Sequence, residues 1–452
     1  MLPDRPFHLP RRKPLTSSFL LVVLSVMASQ FGFAQLPGTL GATYSAAAAG
    51  RAGTMAAETG DPIDAMQGNP AGLAGTSAPV LELGLVGMTA EGSFRNTADP
   101  NGNLSGSAGV LPYGAFGTRI GASRWHAGVS VLPEMLERAK WQYIDPPGTA
   151  GVTYGEQTDK SEIIAIRSAT GLAWNMGSRF AAGATVGLIY NRNTLDSPYI
   201  FQEQPVLAGL KVLLNLHTQG WGWDGGAGAQ WQPRRNLRLG AAWKSAALVQ
   251  SHGEASGTAS ALFAALGVPA DPTFHYQAEV DNHLPQTADA AASWNATRRL
   301  RLDVEGDFTN WSTAFHQLPV KLKEGSNAVI NSVAGSSAIE DEIWLRWRNQ
   351  EAIRIGLESP LKSSWVVRGG YAYSSNPVPS STLTPLTAAI FHNTLAVGGG
   401  WKSERWKADL AYQAQLPASQ SVGQSELQAG EYSDSHVSVM SQSVTATVRM
   451  TF

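Results

Sequence analysis

Three arginines, Arg167, Arg354 and Arg368, stand in stretches that alternate at every second position. A guanidinium held there can donate two parallel hydrogen bonds to a carboxylate, so each suits the head group of an anionic ligand. In the stretch 162–174, Arg167 shares its face with Ala165, Ala169, Gly171 and Ala173. Carboxylates occur in stretches of the same kind: Asp303, Glu305, Asp307, Glu358 and Asp409. The arginines therefore also suit an internal salt-bridge network, and the sequence leaves both roles open. A second set is apolar. Tyr199, Ile200, Phe201, Val206, Leu207 and Leu210 fall in one long link, and Leu262, Phe263, Leu266 and Val268 in another. These would gather a hydrophobic ligand, or simply pack their own loops. Residues 259–266 have the spacing of a short amphipathic helix.

Covalent chemistry has little to work with. There is no G-x-S-x-G elbow, no H-E-x-x-H and no metal-spaced histidine cluster. Zero cysteines remove disulfides and thiolate metal sites. His275 and His283 fall in or beside a link, where a solvated imidazole is the plain expectation. No catalytic residue, metal or cofactor is expected. A hydrolase on a barrel wall needs only Ser, His and an orienting polar residue, a set that spacing does not reveal, so it stays as an alternative.

The elements that must position these residues are strands. At the C-terminus Val444, Ala446, Val448, Met450 and Phe452 fall on one face, and Ser443, Thr445, Thr447, Arg449 and Thr451 on the other. The pattern recurs with Leu300, Leu302, Val304 and Phe308 against Arg301, Asp303, Glu305 and Asp307, and again around Trp406, Leu237 and Phe180. Full charges on one face and aromatic ends on the other are the mark of an apolar-out, polar-in barrel. In a soluble sandwich the apolar face would be the core. Charged residues are only 15% of the chain, where a soluble protein carries about 25%. A lipid-facing surface explains the deficit. A net charge of -2 gives no reason to expect nucleic acid.

The N-terminus reads as an export signal. Arg5, Arg11, Arg12 and Lys13 precede an apolar run over 19–28, and Gly32 and Ala34 flank Phe33. That is a secretory leader cut after Ala34. The run is shorter than the about 20 residues a membrane anchor needs. Downstream, short links at 121–123, 176–178, 233–235, 297–298, 361–363 and 403–404 alternate with long ones near 97–107, 135–160, 194–216, 251–283, 314–341, 377–389 and 417–437. They imply about 14 strands, with all the tight turns at the periplasmic end. The stretch 342–359 reads as one strand interrupted near Asn349-Gln350.

Residues 35–79 do not alternate. They are rich in Gly and Ala and close on Gly68-Asn69-Pro70-Ala71-Gly72-Leu73-Ala74-Gly75. Pro70 fixes φ, and Asn69 before it is held extended. Side chains this small cannot build a core alone, so the segment is expected to plug the wide bore of the barrel.

Gly50-Arg51-Ala52-Gly53, then Asp61 and Asp64, then Asn69-Pro70-Ala71-Gly72-Leu73-Ala74, resemble the hatch of the outer-membrane long-chain fatty acid transport family. Arg354–Glu358 and Val367–Tyr371 resemble that family's later barrel region. The Asp pair is split by Pro62-Ile63, a departure from the family pattern. The resemblance implies an all-β fold: a 14-stranded antiparallel transmembrane β-barrel with an N-terminal hatch in the lumen. Residues 1–34 would be the signal peptide, 35–79 the hatch and 80–452 the barrel. It implies capture of a long-chain fatty acid or similar hydrophobic compound, including aromatic hydrocarbons, between external loops. The ligand would pass into the barrel and leave laterally past the hatch. Gly50, Arg51, Asn69, Pro70 and Ala71 would carry the hatch role. Arg167, Arg354, Arg368, Phe201, Leu262 and Phe263 would contact ligand. Partners would be outer-membrane lipids of a Gram-negative cell and the barrel-assembly machinery, whose signal the terminal Phe452 resembles. A diffusion porin for small polar solutes and a purely structural barrel remain the alternatives.

Overall fold

A sheet with one face in lipid finds no water to satisfy an open edge, so it must close on itself. A computed structural model describes residues 43–104, 108–362 and 364–452, and its strands do close. The expected leader (1–34) and the start of the expected hatch (35–42) lie outside the described residues. The first strands are β1 (Val80–Arg95), β2 (Gly102–Leu104), β3 (Ala108–Arg119), β4 (Trp125–Ile144), β5 (Glu156–Asn175), β6 (Phe180–Ile200) and β7 (Lys211–Arg234). Next come β8 (Leu237–Lys244), β9 (Ala247–Thr258), β10 (Thr273–Leu284), β11 (Thr287–Asn295) and β12 (Arg301–Thr309). The last are β13 (Gln317–Lys323), β14 (Ile339–Trp344), β15 (Gln350–Lys362), β16 (Trp365–Ser374), β17 (Asn393–Lys402), β18 (Trp406–Val422) and β19 (Ser435–Thr451). β8 and β9 form one stave, as do β10 and β11, and the barrel has 14 antiparallel staves. β1 closes it against β19, from Val80 opposite Thr451 to Arg95 opposite His436.

The faces follow the alternation. Val304, Val444 and Val448 point outward and are exposed, while Asp303, Glu305, Thr445 and Thr447 are buried inside. Trp125, Trp174, Phe180, Trp231, Trp294 and Trp406 ring the outer surface beside the tight turns. Trp221, Trp223, Tyr373 and Tyr412 ring it nearer the long loops. The expected short links hold: tight turns join β3–β4, β5–β6, β7–β8, β11–β12, β15–β16 and β17–β18 at one end. No helix among the described residues is long and apolar enough to cross a membrane.

The loop end differs from expectation. Most of 135–160, 194–216 and 251–283 is strand, because the staves continue above the lipid, where apolar alternation is no longer needed. The stretch 342–359 is not one strand. Ile339–Trp344 pairs with β13 in a hairpin that extends the wall beside β10, and the stave begins only at Gln350. Leu345 and Trp347 turn inward between them and pack with Trp311 and Phe315, which pulls the chain off the wall. The link between β16 and β17 folds inward too, burying Val378, Leu383, Leu386, Ile390 and Phe391 against Phe94, Trp141 and Tyr432.

Candidate functional site

The segment 43–79 fills the bore and makes little secondary structure of its own. Helix α1 (Ala46–Ala49) is capped by Ser45, and α2 (Pro62–Gln67) starts with Pro62 at its first position. The Pro62 that splits the Asp pair is thus what opens this helix, with Asp61 at its N-cap. A 3-10 turn over Pro70–Gly75 follows Asn69. The barrel wall offers glycines where the segment touches it. A Cβ at Gly183 would lie 2.5 Å from the Pro70 carbonyl carbon, and one at Gly370 would lie 2.5 Å from that of Arg51. Gly50 packs in the same way on Gly398, and Ala71 is fully buried.

Charge holds the contact. Arg51 is buried and meets Glu58 at 2.8 Å, Asp303 at 3.0 Å and Glu358 at 3.0 Å. Arg301 pairs with Glu58 and Asp303, Arg368 with Glu358 (2.6 Å) and Asp409 (2.8 Å), Lys407 with Asp409 and Asp61, and Arg449 with Asp61. The network is connected and neutral: five cations (Arg51, Arg301, Arg368, Lys407, Arg449) face five carboxylates (Glu58, Asp61, Asp303, Glu358, Asp409). Glu58, Asp61 and Asp64 also bring carboxylate oxygens within 4.8 Å of one another, but Glu58 and Asp61 already hold arginine or lysine partners. Burial pushes the Asp64 carboxyl above its usual range. Asn69 is the neutral counterpart of Arg51. Its Nδ2 donates to the carbonyls of Ala56 (2.7 Å), Ala229 (3.1 Å) and Ala241 (3.2 Å), and its Oδ1 accepts from the Ala71 N–H (3.0 Å). It therefore ties the segment to β7 and β8.

The three arginines expected to read a ligand head group are all engaged in this way. Arg167 Nε donates to both Asp224 oxygens (2.9 and 2.8 Å), with further bonds to Thr185 and the Met66 carbonyl. Arg354 pairs with Asp307 and donates to the Ala52 carbonyl at 3.1 Å. Arg368 lies within the network above. All three thus donate to lumenal acids, and Arg167 and Arg354 also to the backbone carbonyls of Met66 and Ala52.

Phe201, Leu262 and Phe263, in contrast, are brought together. With Leu207, Leu214 and Phe274 they line an apolar cavity of about 100 Å³ at the loop end. Helix α3 (Ser260–Leu266) carries Leu262 and Phe263 inward, as its spacing predicted. Val206 stays exposed outside. The β13–β14 hairpin adds Val320, Leu322 and Ile339, which sequence reading did not assign. Asp341 was also missed: its carboxylate accepts the Tyr199 hydroxyl (2.5 Å) and the N–H groups of Gln202, Glu203 and Gln204, fixing the 201–210 loop. A second cavity, of about 130 Å³, shares Leu195, Tyr199 and Ile343 with the first. It runs inward past Phe315, Leu386, Glu137 and Glu162 to Glu431 and Tyr432. Burial raises the Glu431 carboxyl to about 7, against the opposing pull of Lys211. Neither cavity is lined by lysine or arginine.

Among the described residues, the ladder beside the inner cavity is incomplete. β3 pairs with β4 only from Gly114–Val131 to Arg119–His126, and β2 only at Trp141 and Gln142. Among the described residues, 132–140 of β4 have no strand partner on that side. A bulge at Glu134 marks the break, and Pro133 beside it lacks a backbone donor.

The family model described as "Outer membrane protein transport protein (OMPP1/FadL/TodX)" matches residues 25–452. The chain belongs to this family. A Pseudomonas aeruginosa FadL homologue superposes with a TM-score of 0.73 at 18% identity, covering 93% of this chain and 100% of that one. The Ralstonia pickettii toluene transporter TbuX gives 0.69 at 17% identity, covering 91% and 98%. The Pseudomonas putida toluene transporter TodX gives 0.69 at 16%, covering 94% and 100%. None of the curated proteins matches the chain in sequence. Membership places this barrel among outer-membrane transporters of hydrophobic compounds, and the plug in its bore is consistent with a FadL-like hatch.

Proposed function

We propose that this FadL/TodX-family barrel takes up neutral hydrophobic molecules of the size of a single aromatic ring. The observation that carries the reading is the pair of joined cavities, apolar at the loop end and lined by no cation. A hydrophobic solute gains about 25 cal/mol for each Å² it hides from water. The outer cavity, built around Phe201, Leu262 and Phe263, supplies that surface. Its volume, like that of the inner cavity, is on the scale of the ~150 Å³ apolar cavity that holds benzene. A fatty-acid carboxylate would meet Glu137, Glu162 and Glu431 in the inner cavity, whose lining includes no lysine or arginine. From there the ligand leaves through the wall between β3 and β4, while Arg51, Asn69, Pro70 and the small residues around them, including Gly50 and Ala71, keep the hatch seated. In this reading a polar solute has no open path, which sets the protein apart from a diffusion porin.

The test is uptake of labelled toluene and labelled oleate by cells that lack the gene, complemented with the native chain or with a chain lacking Glu134. Inward-facing residues are even-numbered up to Leu132 and odd-numbered from Met135, so deleting Glu134 removes the bulge without turning either half of β4 over. Toluene uptake should exceed the vector control and fall on deletion. Oleate uptake with no toluene uptake would refute the ligand assignment. Undiminished uptake by the deletion would refute the lateral route.

A further inference from the structure

The charges at the two ends of the barrel are not alike. At the loop end, several basic side chains have acidic partners, Arg192 with Glu162, Lys211 with Asp145 and Glu431, Lys323 with Glu279 and Arg346 with Glu426, while exposed Arg95 and Arg348 make no ion pair among the described residues. At the turn end, Arg124, Arg179, Arg234, Arg235, Arg298 and Arg299 are all exposed, and none makes an ion pair among the described residues. Arg119 bonds only to carbonyls of its own turn. Lys402 and Arg405 continue the series, and Glu404 between them is the only acidic side chain on these turns. The cations run around the rim, from the β3–β4 turn to the β17–β18 turn. Each stands one to five residues from an outward aromatic residue of the girdle: Arg124 beside Trp125, Arg179 beside Phe180, Arg234 near Trp231, Arg405 beside Trp406. Aromatic girdles mark the edge of the hydrocarbon, so residues just beyond them lie at head-group depth.

We propose that this rim is a binding belt for anionic phospholipids of the periplasmic leaflet. A belt of like charges without counter-charges repels itself in water, and an anionic membrane surface supplies the missing sign. The distribution favours lipid over a soluble protein partner, because a docked protein would cover one sector while the cations follow the circumference. The inference rests on the outer-membrane location and on the turns facing the periplasm. It needs no assumption about the transported ligand, and its test does not measure uptake.

The test is lipid selectivity at the girdle. The full barrel is reconstituted in phosphatidylcholine vesicles, and brominated phosphatidylglycerol or brominated phosphatidylcholine is titrated in as a quencher of tryptophan fluorescence. Native protein should prefer phosphatidylglycerol by on the order of fivefold, the worth of one cation near an anionic surface. The preference should fade in about 1 M salt, where the screening length shrinks to ~3 Å. A variant carrying R234Q, R235Q, R298Q and R299Q should lose most of it, while R346Q at the loop end should keep it. Equal quenching by the two lipids, or a preference that salt and the quadruple variant leave intact, overturns the proposal. Equal quenching together with tight binding of poly-glutamate would assign the rim to a protein partner and overturns it equally. If the quadruple variant does not assemble, the salt titration on the native chain decides.

Discussion

Replacing Arg51 by Met keeps the bulk of the side chain and removes one charge from the neutral network that joins hatch to barrel. Arg51 bridges Glu58 on its own segment to Asp303 on β12 and Glu358 on β15, with side chains almost wholly out of solvent on two of the three partners. Without it the carboxylates keep Arg301 and Arg368, but the network carries one uncompensated negative charge. Removing one partner of a buried pair costs about 3–5 kcal/mol. The barrel does not depend on this contact for closure, so the cost should fall on hatch docking. The docked-to-released ratio should drop by roughly two to four powers of ten. Single-channel recording in a planar bilayer reads this directly: frequent conducting bursts in R51M and rare ones in the native chain. Acidification should suppress the bursts in R51M, because a proton on the surplus carboxylate restores neutrality. If R51M conducts like the native chain, and hydrogen exchange over 43–75 is unchanged, the charge network does not hold the hatch.

Three further outcomes follow from the same geometry. Asn69→Ala leaves buried carbonyls at Ala56, Ala229 and Ala241 without their shared donor. At about 1–3 kcal/mol for a buried polar group left unpaired, it should raise burst frequency and speed exchange of the Ala71 amide, in a manner insensitive to pH. Phe263→Ala should weaken toluene-dependent quenching or uptake by about tenfold or more, since a buried aromatic lost from a cavity costs ~3–5 kcal/mol if the site does not collapse. The third concerns Glu431, whose carboxyl is raised from the usual 4.5 to about 7 by burial. A raised acid means the folded loop holds a proton that the opened loop releases. Closure of 428–434 should therefore weaken as pH rises from 4.5 to about 7 and level off above. Hydrogen exchange of that loop at pH 5 and 7.5, corrected for intrinsic rates, should show it, and Glu431→Gln should abolish the difference.

Strand count, tight turns and the outward face were legible because lipid imposes a strict period of two on every stave. The small-residue segment was legible as a plug because Gly and Ala runs cannot make a core. For Arg167, Arg354 and Arg368 the sequence left two roles open. Alternation placed them facing inward with Asp307, Glu358 and Asp409 among the candidate partners, and the fold pairs Arg354 with Asp307, Arg368 with Glu358 and Asp409, and Arg167 with Asp224, which no pattern had singled out. The hairpin 317–344 and the inward link 375–392 escaped for a different reason. Above the lipid their residues follow no period, and they bury Trp311, Trp347 and Phe391 against one another through contacts far apart in sequence. Asp341, in an ordinary Glu-Asp-Glu run, gave no signal that its carboxylate would organise another loop.

The placement of the β4 bulge ties these parts together. Leu132, just before it, packs in the cluster that contains Ile63, Met66 and Leu73 of the hatch. Glu134, at the bulge, reaches Lys244 on β8. Glu137, just after it, lines the inner cavity. The same residues form the edge of the wall where β3 pairing stops. A strand with a full ladder on both sides resists displacement along its length, whereas among the described residues 132–140 forms a ladder with β5 only. This stretch touches the cavity, the incomplete ladder and the hatch core at once. A ligand that pressed on Glu137 would push against the one stretch whose shift also loosens Leu132 from the hatch. In the lateral route proposed above, occupancy of the inner cavity and release of the hatch would then share a mechanical cause, with no contact needed between ligand and Arg51.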